Sequence, residues 1–158
     1  MKIDSITLYH VSMPLVSPFE TSFGRETDRE CILIEIQSEG LMGYGECVAS
    51  RDPGYNYETT GTAIHILKDF IIPLMLGREV KDAADFQNLV SGIRGHYLAK
   101  AGVEMALWDL LGKRENKSLR ELLGGVREKV EVGASIGIQE SAQGLVRSVA
   151  DYVGQGCG

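Results

Sequence analysis

The stretch that decides the fold is GVEMALWDLLGKRENKSLRELLGG, residues 102–125. Apolar residues recur in its first part at the i, i+3, i+4, i+7 and i+8 spacing of a helix with one buried face. These residues are Val103, Ala106, Leu107, Leu110 and Leu111. Ser118 and Glu121 then match a capping box, and Gly124-Gly125 is a typical helix stop. The stretch therefore predicts a long amphipathic helix followed by a short capped one.

Two further helical patterns precede this stretch. In residues 58–77 an apolar stripe repeats at helical spacing and ends near a proline and a glycine. The stripe consists of Ala63, Leu67, Phe70 and Leu74. Residues 82–93 begin at Asp82, which predicts an N-cap, and continue with a second stripe. Its members are Phe86, Leu89, Val90 and Ile93. The middle of the chain is therefore predicted to be helical.

The first fifty residues show the alternation of β-strands instead. Residues 2–15 alternate imperfectly, and residues 28–49 predict a hairpin that turns at Ser38-Glu39-Gly40. The returning arm contains GLMGYGE, residues 40–46. Its glycines open no helix, so they indicate a hairpin that needs small residues rather than a phosphate site.

A strand and a helix are predicted after the double glycine. Residues 130–136 alternate, with the valines on one face and Ser135 on the other. Residues 141–153 predict an amphipathic helix. The order of three strands, several helices, one strand and one helix predicts an α+β domain followed by the opening of a β/α series.

Composition narrows the functional classes. The chain has 158 residues, 44% hydrophobic content and a net charge of -6. These values favour a folded protein and argue against nucleic-acid binding, which needs a basic face. No apolar run is long enough to span a bilayer, and the N-terminus does not resemble a signal peptide. The odd set Cys31, Cys47 and Cys157 predicts reduced thiols in a cytoplasmic protein.

Common catalytic patterns are weak or missing in the sequence. The three histidines, His10, His65 and His96, are far apart and show no metal-ligand spacing. The sequence contains neither a G-x-S-x-G elbow nor a Walker loop. Residues alone therefore predict substrate contact without catalysis.

Two segments are candidates for that contact. SPFETSFGRET, residues 17–27, is predicted to be a long loop between two strands, with Phe19 and Phe23 among hydroxyl groups. ASRDPGYNYE, residues 49–58, follows a strand and brings Ser50, Arg51, Tyr55 and Tyr57 together. Each segment is equally well explained as an ordinary connection packed on its own domain.

Several motifs together resemble the enolase superfamily. They are GYGECVAS, YNYET, PFETSFG and above all residues 102–125. Within the superfamily the chain resembles the muconate-lactonizing subgroup, and there the o-succinylbenzoate synthase and N-acylamino acid racemase family. The resemblance runs from Met1 to the end of the chain.

The resemblance implies a fold and a reaction. Residues 1–125 would form the N-terminal capping domain, a three-stranded antiparallel meander followed by helices. Residues 126–158 would be the first strand and helix of an incomplete β/α barrel. In the family a lysine removes the proton α to a carboxylate, and a divalent metal, Mg²⁺, stabilises the enediolate. The implied reaction is dehydration on the menaquinone route, with N-acylamino acid racemisation as a second activity.

The family's catalytic lysines and metal ligands lie on later barrel strands that have no match here. We therefore assign no catalytic residue and no metal ligand to this chain, and expect it to be inactive alone. What the resemblance carries over is substrate contact by the two cap loops and by the end of the first barrel strand. The corresponding residues are Phe19, Ser22, Phe23, Ser50, Arg51, Tyr55 and Ser135.

Alternative functions stay open at this point. Dipeptide epimerase and muconate cycloisomerase share the cap and the metal, and Arg25 and Arg51 would suit a peptide terminus. A free-standing cap that acts as a binding module is a rival of another class. The expected partners are a small carboxylate substrate and further copies of the chain, with no nucleic acid and no membrane. An unpaired strand over residues 130–136 is expected to be poorly supported.

Overall fold

Three strands form one sheet in the order β1-β2-β3. They are β1 Ser5–Thr21, β2 Gly24–Ser38 and β3 Leu41–Cys47. The computed structural model describes residues 1–22 and 24–156. The sheet followed by helices confirms the predicted α+β fold.

The hairpin of β2 and β3 is formed as predicted. The strands are antiparallel, with Ile32 opposite Cys47 at one end and Ser38 opposite Leu41 at the other. Glu39 and Gly40 make the turn with φ angles of 51° and 82°. Two consecutive residues with positive φ match the twist of a tight hairpin.

The predicted long loop over residues 17–27 is wrong. β1 continues to Thr21 and β2 begins at Gly24, so most of this segment belongs to two long strands. Thr21 closes the connection by donating its hydroxyl hydrogen to the carbonyl oxygen of Gly24 over 3.1 Å. Extended pairing satisfies the backbone groups that a free loop would have to expose.

The residues that the structure describes form six α-helices. Their bounds are α1 Thr60–Ile66, α2 Ile72–Met75, α3 Ala83–Leu89, α4 Tyr97–Glu115, α5 Leu119–Leu122 and α6 Ala142–Gly154. The predicted caps are confirmed: Asp82 accepts from the backbone N–H of Asp85, and Ser118 with Glu121 forms a capping box.

The first helical stripe was predicted correctly at Ala63 and Leu67 and incorrectly after them. Leu67–Ile71 form a π-helical segment between α1 and α2. The wider turn shifts the buried positions, which are Ala63, Leu67, Ile71 and Met75. Phe70, predicted to be buried, is 48% exposed.

The core lies between the hairpin and α4. The predicted apolar face of α4, Val103 to Leu111, is buried against the isoleucines of β2. Gly45 of β3 lies so close to α4 that an added Cβ would be 2.0 Å from the carbonyl oxygen of Gly102. The small residues predicted for this arm are therefore required by the approach of helix and strand backbones.

The chain forms two compact units. Unit 1 consists of Met1–Met13 and Glu30–Gly125, and unit 2 of Pro14–Arg29 and Val126–Gly158. The strand predicted over residues 130–136 is not formed in the part of unit 2 that the structure describes. Val130 and Val132 are 72% and 68% exposed. A strand needs a neighbouring backbone to satisfy its hydrogen bonds, and no paired strand flanks this segment among the described residues.

Candidate functional site

A cavity in unit 2 brings two of the predicted substrate residues together. Its volume is about 570 Å³. Phe19 and Ser135 both line it, as do Arg25, Arg147 and Tyr152. The wall therefore combines aromatic rings and hydroxyl groups with two guanidinium groups and the carboxylates of Glu20 and Glu140, so charges of both signs line the cavity.

Phe19 is held in this cavity by the segment that follows Ser135. The backbone N–H of Ile138 donates to the carbonyl oxygen of Glu20 over 3.2 Å. A Cβ added at Gly137 would lie 3.4 Å from two ring carbons of Phe19. The glycine therefore lets residues 135–138 lie directly against the ring. Gly137 was not predicted, because a single glycine in an extended segment gives no distinct signal.

The next predicted residue, Ser22, lies in the connection between β1 and β2. Ser22 is exposed in the turn after Thr21. Phe23 lies outside the described residues, so its prediction stays a prediction.

The second candidate segment is a closed loop in unit 1, which we call loop 50–58. Ser50 pairs with Thr59 in a β-bridge, and the backbone N–H of Thr60 donates to the carbonyl oxygen of Ser50 over 2.8 Å. The hydroxyl group of Thr60 also donates to the carbonyl oxygen of Ala49 over 3.0 Å. Both ends of the loop therefore meet at the start of α1.

Arg51 in this loop is paired with Glu30 of β2. Its Nε donates to the Glu30 carboxylate over 2.7 Å, and an Nη donates to the same oxygen. His10 of β1 contacts the other carboxylate oxygen through Nε2 at 3.3 Å. The hydrogen bond from Arg51, assisted by that of His10, lowers the pKa of Glu30 below its ordinary 4.5. Glu30 was missed in the sequence because the partners are far apart along the chain.

Tyr55 extends from the same loop. Its side chain is 81% exposed, and that of Arg51 is 73% exposed. An aromatic ring presented this far into solvent carries a large contact area that a bound molecule could cover. Ser50, Arg51 and Tyr55 thus share one short loop, as the sequence predicted from their spacing.

The described residues do not fit the divalent metal that the resemblance implies. Across residues 1–22 and 24–156 no three side chains of His, Cys, Asp or Glu come close enough together to hold a metal ion. No step of a reaction is therefore assigned to a metal in this part of the chain. No described helix is both long and apolar enough to cross a membrane.

Comparison with known proteins identifies the family. Residues 3–124 match the model of the mandelate racemase / muconate lactonizing enzyme N-terminal domain. The chain belongs to this family. The match covers the sheet, α1 to α5 and loop 50–58, which contain most of the motifs that carried the resemblance.

Individual relatives extend over nearly the whole chain. The o-succinylbenzoate synthase of Listeria innocua is 40% identical over 99% of this chain and 42% of its own length. The N-succinylamino acid racemase of Thermus thermophilus is 39% identical with the same coverage. A crystal structure of an enolase superfamily member from Listeria innocua superposes with a TM-score of 0.91 at 39% identity, over 99% of this chain and 42% of that one. The chain thus spans about two fifths of the length of these relatives.

Proposed function

We propose that this chain is the substrate-selecting N-terminal part of an o-succinylbenzoate synthase that also racemises N-acylamino acids. The supporting observation is its 39–40% identity, over 99% of its length, to relatives with these two activities in their names. Both names contain a succinyl group, a short acyl chain that ends in a carboxylate. The proposed substrate class is therefore a small carboxylate that carries such a group.

We propose that this chain binds the substrate and that residues outside it transfer the proton. Removing a proton α to a carboxylate requires a base and a cation that stabilises the charge formed on the oxygens. Within the described range no side-chain cluster could hold that cation. Lys100, near the start of α4, is the one lysine buried among the described residues, and its ammonium group donates to the carbonyl oxygen of Ile93. We therefore assign the base and the Mg²⁺ ligands to a part of the enzyme beyond these residues.

The cavity of unit 2 supports a binding role for Phe19 and Ser135. The cavity is large enough for a small organic acid. In this proposal the ring of Phe19 packs on the apolar carbons of the substrate, and the Ser135 hydroxyl donates to a carboxylate oxygen. Arg25, on the same wall, forms an ion pair with Glu20 at 3.7 Å, and in this proposal it contacts a second carboxylate of the substrate while it shares its charge with Glu20.

Loop 50–58 supports a second set of contacts. Tyr55 offers its exposed ring, and Ser50 offers a hydroxyl group at the base of the loop. Arg51 shares its charge with Glu30, so we propose that it orients the loop beside the substrate.

The test compares activities of the longest gene product that includes this chain. We expect formation of o-succinylbenzoate and racemisation of N-succinylamino acids in the presence of Mg²⁺, and no turnover by the 158-residue chain alone. Preferential turnover of dipeptides or muconate would replace the proposal with an epimerase or a cycloisomerase.

A pair of variants tests the role of the cavity. Phe19→Ala removes the ring and should raise KM about tenfold with little change in kcat, as loss of equal binding in ground and transition states does. Phe70→Ala is the control, because Phe70 is similarly exposed, at 48% against 39% for Phe19, and lies on a helix of unit 1. Equal kinetics for the two variants would remove Phe19 from the substrate site.

A further inference from the structure

Glu58, the last residue of loop 50–58, is a buried carboxylate. Its side chain is 1% exposed. Oε1 accepts from the backbone N–H of Leu98 over 2.9 Å, and Oε2 accepts from that of Ala99 over 3.1 Å. A buried charge of this kind is stable only when such donors satisfy it.

The two donors lie in the first turn of α4. Such N–H groups have no partner within the helix and are usually satisfied by the N-cap side chain. The N-cap of α4 is His96, which makes no such bond. Glu58, forty residues earlier in the chain, therefore caps the helix, and its negative charge meets the positive end of the helix dipole.

Tyr57 makes a second contact with the same turn. Its hydroxyl oxygen accepts from the backbone N–H of His96 over 3.2 Å. The two rings meet edge to face with their centroids 6.3 Å apart. Gly95 and His96 both have positive φ, 66° and 53°. A left-handed conformation is unfavourable for a residue with a side chain, so the contacts of Tyr57 help to hold it.

We propose that Glu58 is a positioning residue: by binding the start of α4 it fixes loop 50–58 in the conformation that presents Tyr55. Both ends of the loop are also anchored without Glu58, because Ser50 is bonded to Thr59 and Thr60 at the start of α1. Removing the carboxylate would therefore loosen the loop between these anchors and leave the anchors in place. The effect on substrate binding rests on the proposed function. The link between Glu58 and the conformation of loop 50–58, which we call the mechanical link, does not.

Hydrogen exchange on the full 158-residue chain tests the mechanical link. Glu58→Gln should accelerate exchange of the Leu98 and Ala99 amides about ten- to a hundredfold, the factor expected for loss of a charged hydrogen bond. The amides of Gly54 and His96, which report on the loop and on the Tyr57 contact, should accelerate at least about fivefold.

One control amide and one control variant give the comparison. The amide of Thr60 is bonded to Ser50 where the two ends of the loop meet, and this anchor does not depend on the Glu58 carboxylate, so its exchange should not change. Glu79→Gln makes the same chemical change at an exposed position of unit 1 and should leave every amide unaffected. If Leu98 and Ala99 accelerate while Gly54 and His96 do not, Glu58 is a helix cap only and the proposal is overturned.

A second variant is needed if the Glu58→Gln protein does not fold. Glu58→Asp keeps the buried charge but is one methylene shorter, so it cannot reach both N–H groups in the same way. We expect acceleration at the same amides in the same order by a smaller factor. Unchanged exchange at Gly54 and His96 in this variant would also overturn the link.

Kinetics of the longer enzyme that we propose distinguish the positioning role of Glu58 from the proposed contact between loop 50–58 and the substrate. Glu58→Gln should raise KM for an N-succinylamino acid about fivefold and leave kcat within about twofold. An unchanged KM together with faster exchange in the loop would show that loop 50–58 does not contact the substrate. That result would refute this part of the proposed function and leave the positioning role of Glu58 intact.

Discussion

Alanine at position 45 should separate β3 from α4. Its Cβ would lie 2.0 Å from the carbonyl oxygen of Gly102 and 2.7 Å from the backbone nitrogen of Ala106. Ordinary contact begins at 3.4 Å, so the two backbones would have to move apart by about 1.4 Å. Neither atom belongs to a flexible side chain that could turn away.

The loss in the free energy of unfolding depends on the core residues that α4 buries. The same face of the helix holds Val103, Leu107 and Leu110 in the core, and a shift of this size would loosen all three. Overpacking a well-packed core costs about 1–3 kcal/mol, and a backbone clash lies at the upper end of that range. We expect Gly45→Ala to lower the free energy of unfolding by about 3 kcal/mol.

Urea unfolding followed by the fluorescence of Trp108, the only tryptophan, measures this change. Gly61→Ala is the matched control, because its Cβ would meet nothing nearer than 3.9 Å in a helix. That variant should be stabilised by about 0.4–1 kcal/mol, since alanine restricts the unfolded chain more than glycine does. A loss below about 1 kcal/mol for Gly45→Ala would refute the close-approach argument.

Three further predictions concern other parts of unit 1. Because the hydrogen bonds from Arg51 and His10 hold the pKa of Glu30 below 4.5, its bond to Arg51 is present at neutral pH and is lost as the carboxylate protonates at a pH below 4.5; NMR signals of the Arg51 side chain should shift during that acidification, and Glu30→Gln should abolish the transition. Burial raises the pKa of the Cys47 thiol to about 11, and Cys31 is buried as well. A thiol reagent at pH 8 should therefore label a Cys157→Ser chain only after unfolding. Labelling of the native chain at the rate of a small-molecule thiol in solution would contradict this. Asp82→Ala removes the N-cap of α3 and should cost about 1 kcal/mol in urea unfolding, whereas no loss would show that Asp85 and water replace the cap.

Local signals in the sequence were reliable where the residues that form a cap or a turn are close neighbours along the chain. The capping box of Ser118 and Glu121 and the turn at Glu39-Gly40 depend on residues three or fewer apart, and both were predicted correctly. The phase of the first helix failed at Phe70, because the π-helical segment changes the number of residues per turn without a distinct sequence pattern.

The candidate site was predictable only in part. Grouping Ser50, Arg51 and Tyr55 required nothing beyond their spacing along one loop. The partners that hold this loop, Glu30 and Glu58, could not be predicted, because each contact joins residues at least twenty-one positions apart. Such pairs form when strands and helices pack, and no periodicity along the chain encodes them.

The sequence by itself determined the family, the order of the first three strands and the helices after them, and the buried face of α4, because these depend on local propensity and on the spacing of apolar residues. Tertiary structure alone decided that residues 17–21 and 24–27 extend two strands, that residues 130–136 remain unpaired, and that Glu58 caps α4. The physical reason is the same in each case. A backbone N–H or a buried carboxylate is satisfied by whichever group the fold brings to it, and that group lies far away in the sequence.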